Sequence, residues 1–255
     1  MRVVGVDACR GGWAAVSLTM GFLAEPSSGS VSPTGKLAAK APPGSAALTA
    51  GRPDVTVRAG VSLRELLGPD LDPDGPAVVG IDMPLGLLAT GWREADRAAR
   101  RLLGPRRSSV FAIPPREVWA QPSYQAANQR CRELTGQGFS AQAWGLRAKL
   151  LEANEYRDQG GPPMYEVHPE LAFGAMAGAP LPASKHTGPG RDLRRRILAE
   201  AGLQLPATVP AAILGDVLDA AAVAWSAWRI AAGQAIVIPP EPQLDDRGRP
   251  ITIRY

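Results

Sequence analysis

The sequence predicts an α/β fold, a mixed or parallel sheet with helices packed on it, and three stretches carry that expectation. Two apolar runs, Val3-Val4-Gly5-Val6 and residues 13–18, meet through Gly11-Gly12 and read as a β-hairpin. Ala77-Val78-Val79-Gly80-Ile81-Asp82-Met83-Pro84 is apolar almost without interruption, the mark of a strand buried on both faces in mid-sheet. Near the end, a helix rich in Ala and Trp runs over about 215–232 and can pack closely on a sheet.

Taken in order, Asp7 stands where the first strand meets its turn, a solvent-facing position that either caps the turn or holds a cation. Residues 25–54 are rich in Pro, Ser, Gly and Ala and read as a flexible loop or insertion. Residues 54–59 alternate polar and apolar side chains and form a third strand. Ser62 and Glu65 make a capping box for a short helix through Leu67, which gives Glu65 a structural task. The buried strand stops at Pro84 and leaves Asp82 at its carboxyl end, where open α/β sheets gather ligands.

A basic helix follows over 92–104, with Arg93, Arg97, Arg100 and Arg101, and then a loop with Arg106, Arg107, Ser108 and Ser109. Guanidinium and hydroxyl donors suit phosphate oxygens; the alternative is a solvated basic face. Helices over 121–134 and 141–157 are separated by Gly136 and Gly138, and Lys149 on the second faces solvent or a ligand. A strand over 164–170 puts Glu166 and His168 on one face, where polar groups are costly to bury unpaired. That cost favours a site over an edge strand with a wet face. A helix over 171–177, a loop with Lys185-His186-Thr187, an Arg-rich helix over 191–201 and short strands at 235–238 and 251–254 complete the chain. No repeat or boundary divides residues 1–255, which read as a single domain.

Composition narrows the function classes. At 255 residues, 45% hydrophobic and 20% charged, the chain has the makeup of an ordinary globular protein with one large core. A net charge of +4, carried mostly by Arg, permits an anionic partner such as nucleic acid, although an Arg- and Ala-rich codon bias gives the same balance. Cys9 and Cys131 build neither a disulfide framework nor a thiolate metal site, and His168 and His186 are too few for a His-rich one. The expected setting is reducing and cytoplasmic, with no leader and no membrane partner.

Asp216 and Asp219 lie three residues apart on one helix face. The helix dipole accounts for a first-turn carboxylate, and it accounts for Asp216 better than for Asp219. Three elements distant in sequence thus each present an acid: Asp7, Asp82 and Asp216/Asp219. Clustered carboxylates repel one another unless divalent cations neutralise them, and hard oxygen ligands suit Mg²⁺ or Mn²⁺. Two ions roughly 4 Å apart would clamp the oxygens of a phosphodiester while water attacks in line.

The same stretches carry a resemblance. Gly5-Val6-Asp7-Ala8-Cys9-Arg10-Gly11-Gly12-Trp13, Ile81-Asp82-Met83-Pro84-Leu85-Gly86-Leu87, Asp96-Arg97-Ala98-Ala99-Arg100 and Arg106-Arg107-Ser108-Ser109-Val110-Phe111 are four of the pieces. Gln142-Ala143-Trp144-Gly145-Leu146 with Lys149, Glu166-Val167-His168-Pro169-Glu170-Leu171-Ala172-Phe173, Ser184-Lys185 and Asp216-Val217-Leu218-Asp219-Ala220 are the others. Together they resemble domain-of-unknown-function family 429, described as predicted RNase H-like nucleases, over nearly the whole chain outside 25–54. The resemblance implies an RNase H-like fold, a mixed five-stranded sheet flanked by helices with helical insertions. It also implies acidic site residues Asp7, Asp82 and Asp219, with Asp216 as neighbour. The closing Asp-x-x-Asp-Ala is similar to that of Holliday-junction resolvase-type members, which carry Glu where this chain has the shorter Asp82. Arg10, Ser108, Ser109, Glu166, His168 and Lys185 have no settled role in the wider fold and imply a substrate unlike that of ordinary RNase H.

The leading expectation is therefore a hydrolase, a metal-dependent phosphodiesterase acting on RNA, DNA or a small nucleotide. Asp7, Asp82 and Asp219 would hold Mg²⁺ or Mn²⁺; Asp216, Glu166 and His168 would complete the catalytic centre, His168 as a proton shuttle. Arg10, Arg106, Arg107, Ser108, Ser109, Lys149 and Lys185 would meet the substrate. An actin-like phosphotransferase needs a Gly- and Ser/Thr-bearing phosphate turn directly after the first Asp, where this chain has Ala8-Cys9-Arg10. The third reading is a non-catalytic protein that binds an anion or nucleic acid on the same fold.

Overall fold

The computed structural model describes residues 1–19, 52–68, 75–210 and 213–255. Strands β1 (Arg2–Cys9) and β2 (Gly12–Thr19) form the expected hairpin, in register from Arg2 opposite Thr19 to Cys9 opposite Gly12. The chain reverses at Arg10-Gly11, where Gly11 has φ 84°, a left-handed angle that a side chain disfavours. Strand β1 therefore runs two residues past Asp7 before the chain turns. Asp7 lies inside β1 opposite Ala14 and is buried, a correction to the solvent-facing position expected of it.

Strand β3 (Asp54–Gly60) pairs antiparallel with β2, and its alternating exposure matches its alternating sequence. Most of the loop expected over 25–54 lies outside the described residues; Asp54 already belongs to β3. Helix α1 (Leu63–Leu67) is capped by Ser62, whose Oγ accepts the Glu65 N–H. Glu65 reaches back to the Val61 N–H, one residue before the cap, so its carboxylate is structural as expected.

Strands β4 (Val78–Ile81) and β5 (Met164–Glu166) continue the sheet parallel to β1, giving the order β3-β2-β1-β4-β5. This mixed five-stranded sheet flanked by helices agrees with the RNase H-like expectation. After β4 come α2 (Glu94–Leu103), a 3₁₀ turn (Gly104–Ser109), α3 (Arg116–Trp119), α4 (Tyr124–Thr135), α5 (Ala141–Gly145) and α6 (Arg147–Asp158). After β5 come α7 (Pro169–Ala177), α8 (Gly188–Glu200) and α9 (Leu214–Ala231). Strands β6 (Val237–Ile238) and β7 (Ile253–Arg254) form a separate two-stranded sheet.

Two elements differ from their sequence reading for visible reasons. The helix expected over 141–157 is two, parted at Leu146, because α5 is fastened to an aromatic cluster in which Trp144 stacks on Trp119 with centroids 6.2 Å apart. The strand expected over 164–170 ends at Glu166, since Pro169 has the fixed φ that opens α7 and His168 becomes its N-cap.

The sheet buries both faces. Val4, Val6, Val79 and Ile81 join one core with Trp13, Trp119 and Leu150, while Val3, Ala14, Val16 and Leu18 join another beneath α9. Every residue of α9 from Val217 to Trp228 is buried. Glycines permit that depth. A Cβ on Gly5 would stand 2.1 Å from the Ala224 nitrogen and 2.2 Å from the Ala220 oxygen. Gly80, its register partner on β4, likewise makes room for Val223. No helix among the described residues is long and apolar enough to cross a membrane.

Candidate active site

The site forms where β1 and β4 end. Val6 opposite Ile81 is the last pair of their parallel ladder, and the Asp82 N–H then donates to the Val6 carbonyl at 2.9 Å. Asp7 and Asp82 thus leave adjacent strand ends side by side, with their carboxyl groups close enough to interact. The close seat of α9 on Gly5 brings Asp219, 2% exposed, over the same end, with Asp216 one turn earlier. From the loop between α7 and α8, Lys185 Nζ donates to Asp219 Oδ2 at 2.5 Å.

That loop is held by three sets of contacts. Arg106 donates to the Leu181 and Pro182 carbonyls at 3.1 and 2.5 Å, and Arg194 donates to the Ala183 carbonyl at 3.1 Å. Thr187, the N-cap of α8, donates from its Oγ to the Ser184 carbonyl. Arg194 is itself buried and ion-paired with Glu170 at 2.5 Å. The position of Lys185 is therefore built into the fold.

The cluster is short of positive charge. Burial, then repulsion from Asp82 and Asp219, holds the Asp7 carboxyl well above its usual range, with Lys185 opposing. Burial is also the main cause that pushes Asp82 up to about 7, and Lys185 again pulls the other way. Asp216 is raised by burial and by Asp219. For Lys185, burial works against the ammonium, but Asp219, Asp82 and Asp7 more than offset it and raise its pKa. Four carboxyl groups thus share one lysine.

Asp7, Asp82, Asp216 and Lys185 line a cavity of about 220 Å³, with Phe111 and Leu146 among its apolar lining residues. His168 also lines it. The imidazole Nε2 lies 3.3 Å from the Ser109 carbonyl, while the buried Nδ1 has no partner. A ring that donates Nε2–H to Ser109 keeps Nδ1 as an acceptor, and burial lowers its pKa, so the ring stays neutral. Glu166 borders the cavity but is engaged behind it. Its carboxylate accepts from the buried Arg93 guanidinium and from the Leu85 N–H at 2.8 Å. Asp96 stands 3.5 Å from Arg93 and accepts from the Ile113 N–H at 2.9 Å.

The structure brings Asp7, Asp82, Asp216, Asp219, Lys185, His168, Glu166 and Ser109 together at this end of the sheet. The other substrate-facing candidates lie elsewhere. Arg10 is on the exposed hairpin turn, and Arg107 and Ser108 are exposed on the 3₁₀ turn. Arg106 spends its guanidinium on loop carbonyls. Lys149 lies over the Trp13 ring at 4.5 Å and pairs with Glu152 at 3.6 Å. Arg93, read from sequence as part of a basic helix face, is instead 1% exposed between two acids. The motif Asp96-Arg97-Ala98-Ala99-Arg100 carried a signal for Asp96, whereas nothing local marked Arg93 as buried.

Among the described residues, no three His, Cys, Asp or Glu side chains are disposed as a ready-made metal site. Lys185 occupies one Asp219 oxygen. The donor chemistry nevertheless fits a hard divalent cation. Asp7 is 6% exposed, faces the cavity, and receives no hydrogen bond from any backbone N–H, Arg or Lys among the described residues. A buried carboxylate without such a donor is costly, and a cation removes the cost.

No curated protein matches the chain. It is similar to a solved structure described as "Thermus thermophilus RuvC structure", with a TM-score of 0.37 and 14% identity, covering 92% of this chain and 98% of that chain. That likeness is too distant to bear on function. Residues 5–244 match the model of the family described as "Protein of unknown function (DUF429)", and the chain belongs to that family.

Proposed function

We propose that the chain is a divalent-metal-dependent phosphodiesterase acting on nucleic acid or on a nucleotide. The observation that carries the reading is the convergence of Asp7, Asp82 and Asp216 on one cavity, with Lys185 lining it and paired to the buried Asp219. Asp7, Asp82 and Asp219 are the residues that would hold Mg²⁺ or Mn²⁺. Such an ion, when bound, polarises a phosphoryl oxygen and acidifies water.

The chain's own residues do the rest. Lys185, its side chain 40% exposed, reaches a phosphate oxygen from the anchored loop. His168 lines the cavity and is our candidate for carrying away the proton of the attacking water, its ring fixed by the contact of Nε2 with the Ser109 carbonyl. Glu166, held by Arg93, positions the wall of the cavity. Arg10, Arg107 and Ser108, exposed outside it, are placed for the phosphates of a longer polymer.

The test is hydrolysis of bis(4-nitrophenyl) phosphate, then of single- and double-stranded RNA and DNA and of nucleotides, with and without Mn²⁺. We expect metal-dependent turnover, abolished by chelator and lowered about 100-fold or more by Asp7→Asn. Hydrolysis that survives both would refute the assignment. One observation favours a second reading: Lys185 pairs with Asp219 and, 40% exposed, could meet an anion directly. Nucleic-acid binding that ignores both chelator and Asp82→Asn would support a non-catalytic binding protein.

A further inference from the structure

We infer that Lys185 takes the place of a second metal ion, so that the cluster holds one divalent cation and one ammonium instead of two metals. The inference rests on the phosphodiesterase reading and narrows it, replacing the two-ion expectation drawn from the carboxylates alone.

The geometry carries it. Lys185 Nζ stands 2.5 Å from Asp219 Oδ2, and Asp219 is 2% exposed. The ammonium thus occupies one of the lone-pair directions that Asp219 would offer a metal ion, and competes with it there. The contact is built, since Arg106, Arg194 and Thr187 fix the backbone on both sides of Lys185. Asp7 and Asp82 remain as neighbouring carboxyl groups without a cation in hydrogen-bond contact among the described residues. Two carboxylates, completed by waters and substrate phosphate, are the usual protein share for a single Mg²⁺. An ammonium beside them supplies what a second ion would, a fixed positive charge facing the oxygens where negative charge develops.

The experiment is a Mn²⁺ titration of the full chain, read by calorimetry and by the electron paramagnetic resonance signal of free Mn²⁺. The wild-type chain should bind one Mn²⁺. Lys185→Met frees Asp219 beside Asp216, and a second, weaker Mn²⁺ should bind. Lys185→Arg restores the charge and should return the count to one, which separates loss of charge from damage to the fold. Two Mn²⁺ on the wild-type chain would overturn the inference while leaving the phosphodiesterase reading intact. A count that stays at one in Lys185→Met would overturn it in the same way. No Mn²⁺ on any of the three proteins would overturn both.

Discussion

The charge deficit at the strand ends predicts that a carboxylate deletion stabilises the metal-free chain. Asp82 ordinarily ionises near 3.8 and in the fold does so at about 7. Between those values the folded chain holds a proton that the unfolded chain has released. Its contribution to stability is thus complete below about pH 4 and is lost as the pH rises through 7. Each pH unit between the two values is worth about 1.4 kcal/mol, so the full penalty at pH 8 is about 4 kcal/mol. Part of Asp82 touches solvent, which screens the repulsion and reduces the expected figure to about 2–3 kcal/mol.

Asp82→Asn removes the ionisation and keeps the shape. With chelator present, its urea midpoint should exceed that of the wild-type chain by about 1 M at pH 8 and match it at pH 4 to 5. Added Mn²⁺ should then stabilise the wild-type chain far more than the variant, because only the former keeps the ligand pair. An Asn variant no more stable than the wild type at pH 8 would refute the claim that this cluster is short of positive charge.

Other outcomes follow from the packing. Gly5→Ala drives a Cβ into the α9 backbone and should cost about 3 kcal/mol, read as a lowered unfolding midpoint; an unchanged midpoint would mean that α9 can lift off the sheet. Arg93→Met strands Glu166 and Asp96 as buried acids and should cost about 3–5 kcal/mol at pH 8, with less lost at pH 5, where the acids take up protons. The His168 imidazole should titrate below the ordinary 6.5 by NMR, and a midpoint at or above that value would contradict its burial.

Much of the fold was legible because its signals are local. Apolar runs marked β1, β2 and β4, the Gly11 turn marked the hairpin, and the Ala-rich stretch marked α9. Asp7, Asp82 and Asp219 could be grouped because each stands near an end of one of those elements. The remainder depends on partners far along the chain. Arg93 reads as a surface base until Glu166, 73 residues away, is seen to accept from it. Lys185 reads as a phosphate contact until Asp219, 34 residues on, is found beneath it. Lys149 could not be separated from a ligand contact before Trp13 was known to lie under it. The depth of Asp7 turned on how far β1 runs past it, to Cys9, which periodicity does not fix.

The most direct test of the central claim is a crystal soaked in Mn²⁺, with anomalous scattering used to locate the ion. The account predicts a peak bounded by the Asp7 and Asp82 carboxylates and absent from Asp7→Asn crystals. Soaks at saturating Mn²⁺ that leave those strand ends without a peak would contradict it.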